Sequence, residues 1–588
     1  MRKTLARTLL LAKVSLLSLT LASGSVYAQP KPKPPAPKGG APTPPKGGTA
    51  PKGGGTEIEL DEPTTPAAGG GQKDLGPPPQ AGQMTEQAAQ AKRLFDGEKW
   101  SDAALALNRV AKGETGDDEG NKQLAQYHLA IALYRLKYYQ AAYGIFSEIA
   151  DKPNHLKFNE TLLWLAKLAT DLPEPADIVE RVGKYSDDQI KKFDNSNQRE
   201  LFWQLNYLLG RYKYRNRQYE DAIRLFGKVA RESKYYIKGQ FFQGISYVQL
   251  RKSIPAVQSF QRVVGAIEEG AEGVEDESRM RDLAFLSMAR TYYSASIRLD
   301  ENGQPTIDST KLSAAVKYWN KVDVGSEYWL DGLFEESWAY FMAGDYAHAL
   351  GNIHTIQAPY FPASYYPEAE ILKAVIYFAN CQYDDATTIV AKFQQKYQPI
   401  YDDLAKVLKK YTGENQEEAF YKFLKDVRDD KADVPPRIKI VVKNALSDRQ
   451  LLRHLQYVQV LDDEGKRFQK ASGAFKESAL GNDVKDALQL ARDIAVRNAG
   501  QLARERYERN LAELNEHLRD SAKILIDITA AQRNQLDAAI AGTQVSVQES
   551  QRNIVKPDEE HVIWPFDGEY WRDELGFYRQ TITSKCGR

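Results

Sequence analysis

Two stretches of this chain repeat each other 34 residues apart. Gly210, Ala222, Phe226 and Val229 return as Gly244, Ala256, Phe260 and Val263. A 34-residue period is the length of two antiparallel helices with their turns. The residue types suit that geometry. Glycine and alanine let two helix backbones approach, while phenylalanine and valine, four and seven residues beyond the alanine, share its face and fill the space between neighbouring pairs. One pair cannot bury its apolar face alone, so a chain with this repeat must stack several. The pattern predicts an all-α solenoid.

Other copies follow the same grammar. Leu209-Gly210 opens the strongest copy, which continues through Tyr219, Ala222, Phe226 and Val229; the next carries Gly244, Tyr247, Ala256, Phe260 and Val263. Earlier come Leu129-Ala130, Tyr139, Ala142, Phe146 and Ile149, and before them the weaker Trp100, Ala103, Leu107 and Val110. Later come Ala289 and Tyr292 with Ala315, Trp319 and Val322, interrupted by an insertion at Arg298 to Lys311; then Tyr340, Gly344, Asp345, Tyr346 and Ala349; then Ala374, Tyr377, Tyr383, Ala386 and Val390. His155 to Tyr185 is degenerate, with Pro173 and Pro175 between its halves. About eight units are expected over residues 84–399.

At these residues the chain resembles the tetratricopeptide repeat (TPR) family. The resemblance implies a right-handed superhelix of helix pairs whose concave groove is lined by the first helix of each unit. Mapped here, that face includes Tyr207, Arg211, Tyr214 and Arg215, then Phe241 and Ile245, then Phe334, Trp338 and Phe341, and finally Phe378. Such a groove would take a peptide or helix of a partner protein, with Arg211 and Arg215 meeting its carboxylates. Two other readings stay open: the aromatic residues form ordinary core between repeats, or the protein's own tail fills the groove.

The N-terminus has the form of an export signal over residues 1–28. Arg2, Lys3 and Arg7 precede an apolar stretch, and Val26-Tyr27-Ala28 gives a small-x-small cleavage site before Gln29. The uninterrupted apolar part, Val14 to Ala22, is shorter than the roughly 20 residues needed to span a bilayer. Residues 29–83 are rich in Pro, Gly and Lys, with too few apolar groups to offset the entropy of ordering, so a disordered linker is expected. It serves as a spacer or as a basic tether to peptidoglycan or a membrane surface. Signal, linker and array together resemble periplasmic TPR proteins of Gram-negative bacteria, which organise envelope machines. Trp571-Arg572-Asp573-Glu574-Leu575-Gly576, behind a Tyr-rich array, is similar to envelope TPR proteins of the myxobacterial, delta-proteobacterial type. These likenesses imply a periplasmic, outer-membrane-associated protein with other envelope proteins as partners.

After the array the grammar changes. Residues 400–436 read as a helical extension ending at Pro435-Pro436, and 437–553 as long helices with coiled-coil character. One helix is expected from Asp448 to Ser472. A longer one is expected from Asp483 to Ala541, with Asn482 as its N-cap. Tyr507, Leu511, Leu514, Leu518, Leu525 and Ile528 follow a 3-4 spacing, with Ser521 as the weak position. This seam serves an intramolecular hairpin or self-association. In the last segment, 554–588, Trp564, Phe566, Tyr570 and Trp571 lead a run of aromatics too dense to stand free in water. The run either docks on the array or is a hook for another protein. Cys381 and Cys586 are the only cysteines, and in an oxidising compartment they can pair or stay as thiols.

Composition excludes more than it assigns. Lys plus Arg and Asp plus Glu both number 79, a balance that argues against nucleic acid as a partner. The seven histidines are scattered without metal-ligand spacing. The Gly-Gly runs lie in the linker rather than between a strand and a helix, so they form no phosphate loop. No catalytic, cofactor or metal residues emerge. The expected function is a non-enzymatic protein–protein scaffold of the envelope; the alternative is a structural component whose groove is self-filled.

Overall fold

Glycine-to-phenylalanine contacts build the array. A Cβ placed on Gly210 would stand 2.7 Å from the Phe226 ring, and one on Gly244 would stand 2.6 Å from the Phe260 ring. Each phenylalanine of the second helix thus lies flat over a bare stretch of the first, which is why the two residue types recur in step. Ala130, Ala222 and Ala256 are fully buried at the same interfaces. In the computed structural model, which describes residues 78–301, 305–540 and 553–586, the result is an all-α solenoid. The expected signal peptide and nearly all of the expected linker lie outside the described residues.

Eight helix pairs follow one another among the described residues. They are Glu86–Asp96 with Trp100–Ala111, Glu119–Arg135 with Tyr139–Ala150, Thr161–Asp171 with the short Ile178–Val182, and Arg199–Arg215 with Tyr219–Phe226. Then come Tyr236–Gln249 with Ser253–Glu268, Glu277–Ser296 with Ser309–Trp319, Trp329–Ala343 with Tyr346–Ile356, and Pro367–Ala379 with Tyr383–Lys410. The insertion in the sixth pair is a small antiparallel ribbon, with Ile297 opposite Ile307 and Leu299 opposite Pro305.

Six pairs turn through one backbone motif. Glu98, Lys137, Arg217, Arg251, Gly344 and Cys381 all sit in the left-handed region, with φ between 56° and 74°. Around Arg251 its N–H donates to the Val248 carbonyl and the Lys252 N–H to the Tyr247 carbonyl, both at 2.9 Å. This closes the first helix with its orphan carbonyls satisfied. A side chain in that region costs roughly 1–2 kcal/mol, which glycine avoids at the expense of unfolded-state entropy. Arg251 is exposed. Arg251→Gly is therefore expected to raise the unfolding free energy by about 0.5–1 kcal/mol in a denaturant titration.

The proposed boundary at residue 399 falls inside the helix Tyr383–Lys410, which carries Pro399 in its interior. Phe393, Tyr397, Ile400, Leu404 and Val407 are buried along one face. That continuous apolar stripe offsets a proline cost of about 3 kcal/mol. Gln416–Arg428 and Pro436–Ala445 complete the extension.

Arg449–Gln469 and the 62-residue Ala479–Ile540 then run back over the array. The long helix starts before the expected Asn482 cap, because Gly481 packs directly against the Phe475 carbonyl and is helical. It spans about 90 Å. At its start Asp483 pairs with Lys112 of the first unit at 2.7 Å, and towards its end Gln532 Nε2 reaches Asp384 of the eighth at 3.4 Å. It straps the two ends of the solenoid together. The two long helices pack on each other. The seam faces inward: Tyr507, Leu514 and Ile528 are buried and Leu511, Leu518 and Leu525 half-buried in the core shared with the helices at 383–410 and 416–428. Ser521 is fully buried and accepts a 3.0 Å hydrogen bond from Gln394 of the array.

Candidate functional site

The ten residues mapped to a partner groove lie inside the packed protein. Tyr207, Arg211, Tyr214, Ile245, Trp338 and Phe378 are buried, and Arg215, Phe241, Phe334 and Phe341 are half-buried. Tyr207 stacks on Tyr235 at 5.4 Å, Phe241 tilts against Phe260 at 5.5 Å, and Phe334 tilts against Tyr366 at 5.6 Å. The expectation of an open groove at these positions is corrected, and the physical reason is charge as well as packing. Arg211 and Arg215 do meet carboxylates, but both pair with Glu174 of the same chain, and Arg215 also binds Glu180 at 2.6 Å. Arg453 from the returning helix joins Glu174 on its other oxygen. Burial, with Arg215 and Arg453 close by, pushes Arg211 well below the usual guanidinium range. The Pro173-Glu174-Pro175 turn that makes the third unit degenerate is what brings Glu174 into this cluster.

The returning helix clasps the second unit as well. Both Glu464 carboxylate oxygens accept from the Gln140 N–H, at 3.1 and 3.2 Å, at the start of the helix Tyr139–Ala150. Arg467 donates to the Lys137 carbonyl at 2.7 Å. Burial pushes the Glu464 carboxyl up to about 8. Nothing in the periodicity of the sequence marks Glu174 or Glu464 for these contacts.

The tail is a second layer on the seventh and eighth units. Cys586 is disulfide-bonded to Cys381, which occupies the left-handed turn of the last pair. The Gln580 N–H donates to the Ala347 carbonyl at 3.0 Å and the Lys585 N–H to the Asn380 carbonyl at 2.9 Å. The Gly576 N–H donates to Thr355 Oγ1 at 3.0 Å. Ile582 is buried among Leu350, Ile353, Leu372 and Ile376. The closest approach is at Gly351, where a Cβ would stand 1.7 Å from the Tyr578 carbonyl oxygen. Leu575, Tyr578 and Ile582 face inward, and five large apolar side chains face outward: Val562 is 75% exposed, Phe577 70%, Ile563 63%, Phe566 50% and Trp571 41%.

These five line one cleft of about 520 Å³ between the tail and the helix Tyr346–Ile356. His354 forms part of its floor, stacked on Tyr570 at 4.5 Å with Phe566 and Tyr578 edge-on at 4.6 and 5.1 Å. Trp564 stacks on Trp571 at 4.8 Å, and its Nε1 donates to Glu569 at 2.8 Å. Of the four expected hook residues, Phe566 and Trp571 are exposed in the cleft, while Trp564 and Tyr570 are half-buried beneath them. Neither Gly351 nor His354 was marked in the sequence for this contact; the small residue at 351 on a helix face opposite an aromatic tail is the signal that could have found it.

Burial depresses the His354 pKa to about 4. Its folded pKa lies below the unfolded value of 6.5, so the unfolded or released form takes up the proton first. The stability it contributes is whole above about pH 6.5 and is lost as pH falls towards 4. Amides of residues 576–585 are expected to lose exchange protection across that window, and the His354→Phe variant is expected to flatten the loss.

No group of side chains able to hold a metal ion occurs among the described residues, and no helix there is long and apolar enough to cross a membrane. No known protein family and no curated protein matches the chain. Solved structures that align with it include the apo form of RapI, 10% identical with a TM-score of 0.28, covering 69% of this chain and 97% of that one. Another is a Rap protein complexed with competence and sporulation factor, 12% identical with a TM-score of 0.16, covering 76% of this chain and 98% of that one. At those scores neither likeness locates a site or a role here.

Proposed function

We propose that this chain is a non-enzymatic protein–protein interaction scaffold of the bacterial envelope, exported to the periplasm, and that it meets its partners through the docked aromatic tail. The observation that carries this reading is the outward set Val562, Ile563, Phe566, Trp571 and Phe577 on a segment fixed covalently to the array. A contiguous apolar patch rimmed by polar groups is the usual form of a protein contact surface. Aromatic side chains there supply large contact area at low entropic cost. The TPR-type array acts as the rigid support, since the residues expected to line its groove are packed within the chain itself.

The test is capture from crosslinked envelopes by the natural chain and by a Phe566→Ala, Phe577→Ala double variant. Both side chains are at least half exposed, so their loss leaves the fold in place. The reading expects specific partners to fall by at least about tenfold, an interface loss of about 1.4 kcal/mol or more. Unchanged capture would sink it.

A further inference from the structure

Two segments far apart in the chain carry opposite charge. Between Gln29 and Thr56 the only charged residues are Lys31, Lys33, Lys38, Lys46 and Lys52, a net charge of +5. Between Lys556 and Glu574 seven carboxylates stand against two cations, Lys556 and Arg572, a net charge of −5 with histidine neutral. All nine of those tail groups are exposed. The basic segment is also proline-rich, with Pro34-Pro35, Pro44-Pro45-Lys46 and Pro51-Lys52. The acidic one is the aromatic cleft already described.

We propose that the tail cleft is the docking site of the chain's own Pro/Lys segment, residues 30–52. Proline-rich peptides bind aromatic-lined grooves because their rings pack on flat side chains and little backbone freedom is left to lose. Here Phe566, Trp571 and Phe577 supply the ridges, open to solvent along one cleft. Glu560 and Glu574 line the same cleft opposite Lys373 and Arg579, and the acidic surplus of the rim comes from the exposed Asp558, Glu559, Asp567, Glu569 and Asp573 of the same segment, with Glu569 beside Trp564. Lysines spaced two, five, eight and six residues apart among the prolines meet that rim. Exposed pairs of this kind add little singly, so the match works as a set and is sensitive to salt.

The reach is sufficient within one molecule. From Asp483, beside the first unit, to Gln532, beside the eighth, the long helix covers about 74 Å. A chain of the linker's composition extends at most about 3.1 Å per residue, or about 80 Å from residue 78 back to Lys52 and about 120 Å back to Lys38. Lys38 and Lys46 arrive with slack.

This rests on the reading of the tail as an interaction face. The test is zero-length carbodiimide coupling of lysines to carboxylates in the purified chain beginning at Gln29, read by peptide mass spectrometry. Bonds are expected from Lys38, Lys46 or Lys52 to Glu560, Glu569 or Glu574. Their yield should fall about tenfold when salt is raised from about 0.05 to 1 M, where the Debye length shrinks to about 3 Å. It should fall similarly in the Phe566→Ala, Phe577→Ala variant. Linker bonds scattered over carboxylates of the array, or a yield that ignores the double variant, would overturn the proposal. In an equal mixture of isotopically light and heavy protein, light-to-heavy bonds making up about half of the total, the fraction for random pairing between molecules, would overturn docking within one chain. If linker coupling fails while partner capture still depends on Phe566 and Phe577, this inference falls and the interaction face stands. If both fail, the face itself is wrong.

Discussion

Gly500→Ala is expected to pry the long helix off the array. Glycine in a helix interior normally costs about 1 kcal/mol relative to alanine, so the substitution should stabilise an ordinary helix. Here the sign reverses. A Cβ at position 500 would stand 1.7 Å from the Glu417 carbonyl oxygen and 3.1 Å from the Tyr421 backbone nitrogen. Both atoms belong to the backbone of the helix Gln416–Arg428, and no side-chain rotation relieves the clash. The helices must separate, and the contacts beyond the pivot loosen with them: Arg497 with Glu418 at 2.8 Å, and the Tyr507 hydroxyl donating to the Leu404 carbonyl at 3.0 Å. The expected loss is about 3 kcal/mol or more, at the upper end for overpacking a tight contact. Gly465, in the returning helix, has open space where its Cβ would go. Gly465→Ala is the paired control and should gain up to about 1 kcal/mol. Denaturant titrations of the two variants should move in opposite directions.

Gly351→Ala is expected to lift the tail from the seventh unit while leaving the array folded. The clash is again with backbone, the Tyr578 carbonyl oxygen. Gly351 lies on the helix Tyr346–Ile356, whose own stability alanine would improve. The loss therefore falls on the tail: the hydrogen bonds of Gly576 and Gln580, the burial of Ile582 and the packing of Tyr578. Removing Ile582 from its site alone forgoes about 1.5–3 kcal/mol. The disulfide holds Cys586 in place, so the expected outcome is a loop tethered at its end rather than a free tail. Amides of residues 574–583 should lose protection by a factor of about 100 or more, corresponding to roughly 3 kcal/mol. Those of Arg199–Arg215 should be unchanged.

What the sequence shows and what it hides follow from the range of the contacts. The glycine-to-phenylalanine pairs lie 16 residues apart within one repeat and recur with it, so the period alone exposes them. The breaker at Pro435-Pro436 was legible for the same local reason, whereas the one cap expected, Asn482, lies inside a helix that begins at Ala479. The destination of the long seam was not legible. A 3-4 spacing states that one face is apolar, and that face is satisfied equally by a partner helix, a second copy or the flank of a solenoid. Ser521, weak for a coiled coil, belongs to the third case, where Gln394 supplies its hydrogen bond. Arg211 and Arg215 misled because a basic pair on a predicted concave face looks alike whether its carboxylate comes from outside or from Glu174. The interruption by Pro173 and Pro175 was visible, but its use was not. Two cysteines permit one pairing, and only the fold places Cys381 and Cys586 side by side.

The central claim is that the solenoid is closed by its own C-terminal helices, leaving the tail as its outward face. Amide hydrogen exchange across residues 499–528, measured beside that of Arg199–Arg215, tests this most directly. The account predicts equal protection in the two segments, both opening only when the whole array unfolds. Exchange through 499–528 that runs far ahead of a still-protected Arg199–Arg215 would contradict it, and would mean that the long helices detach from the array.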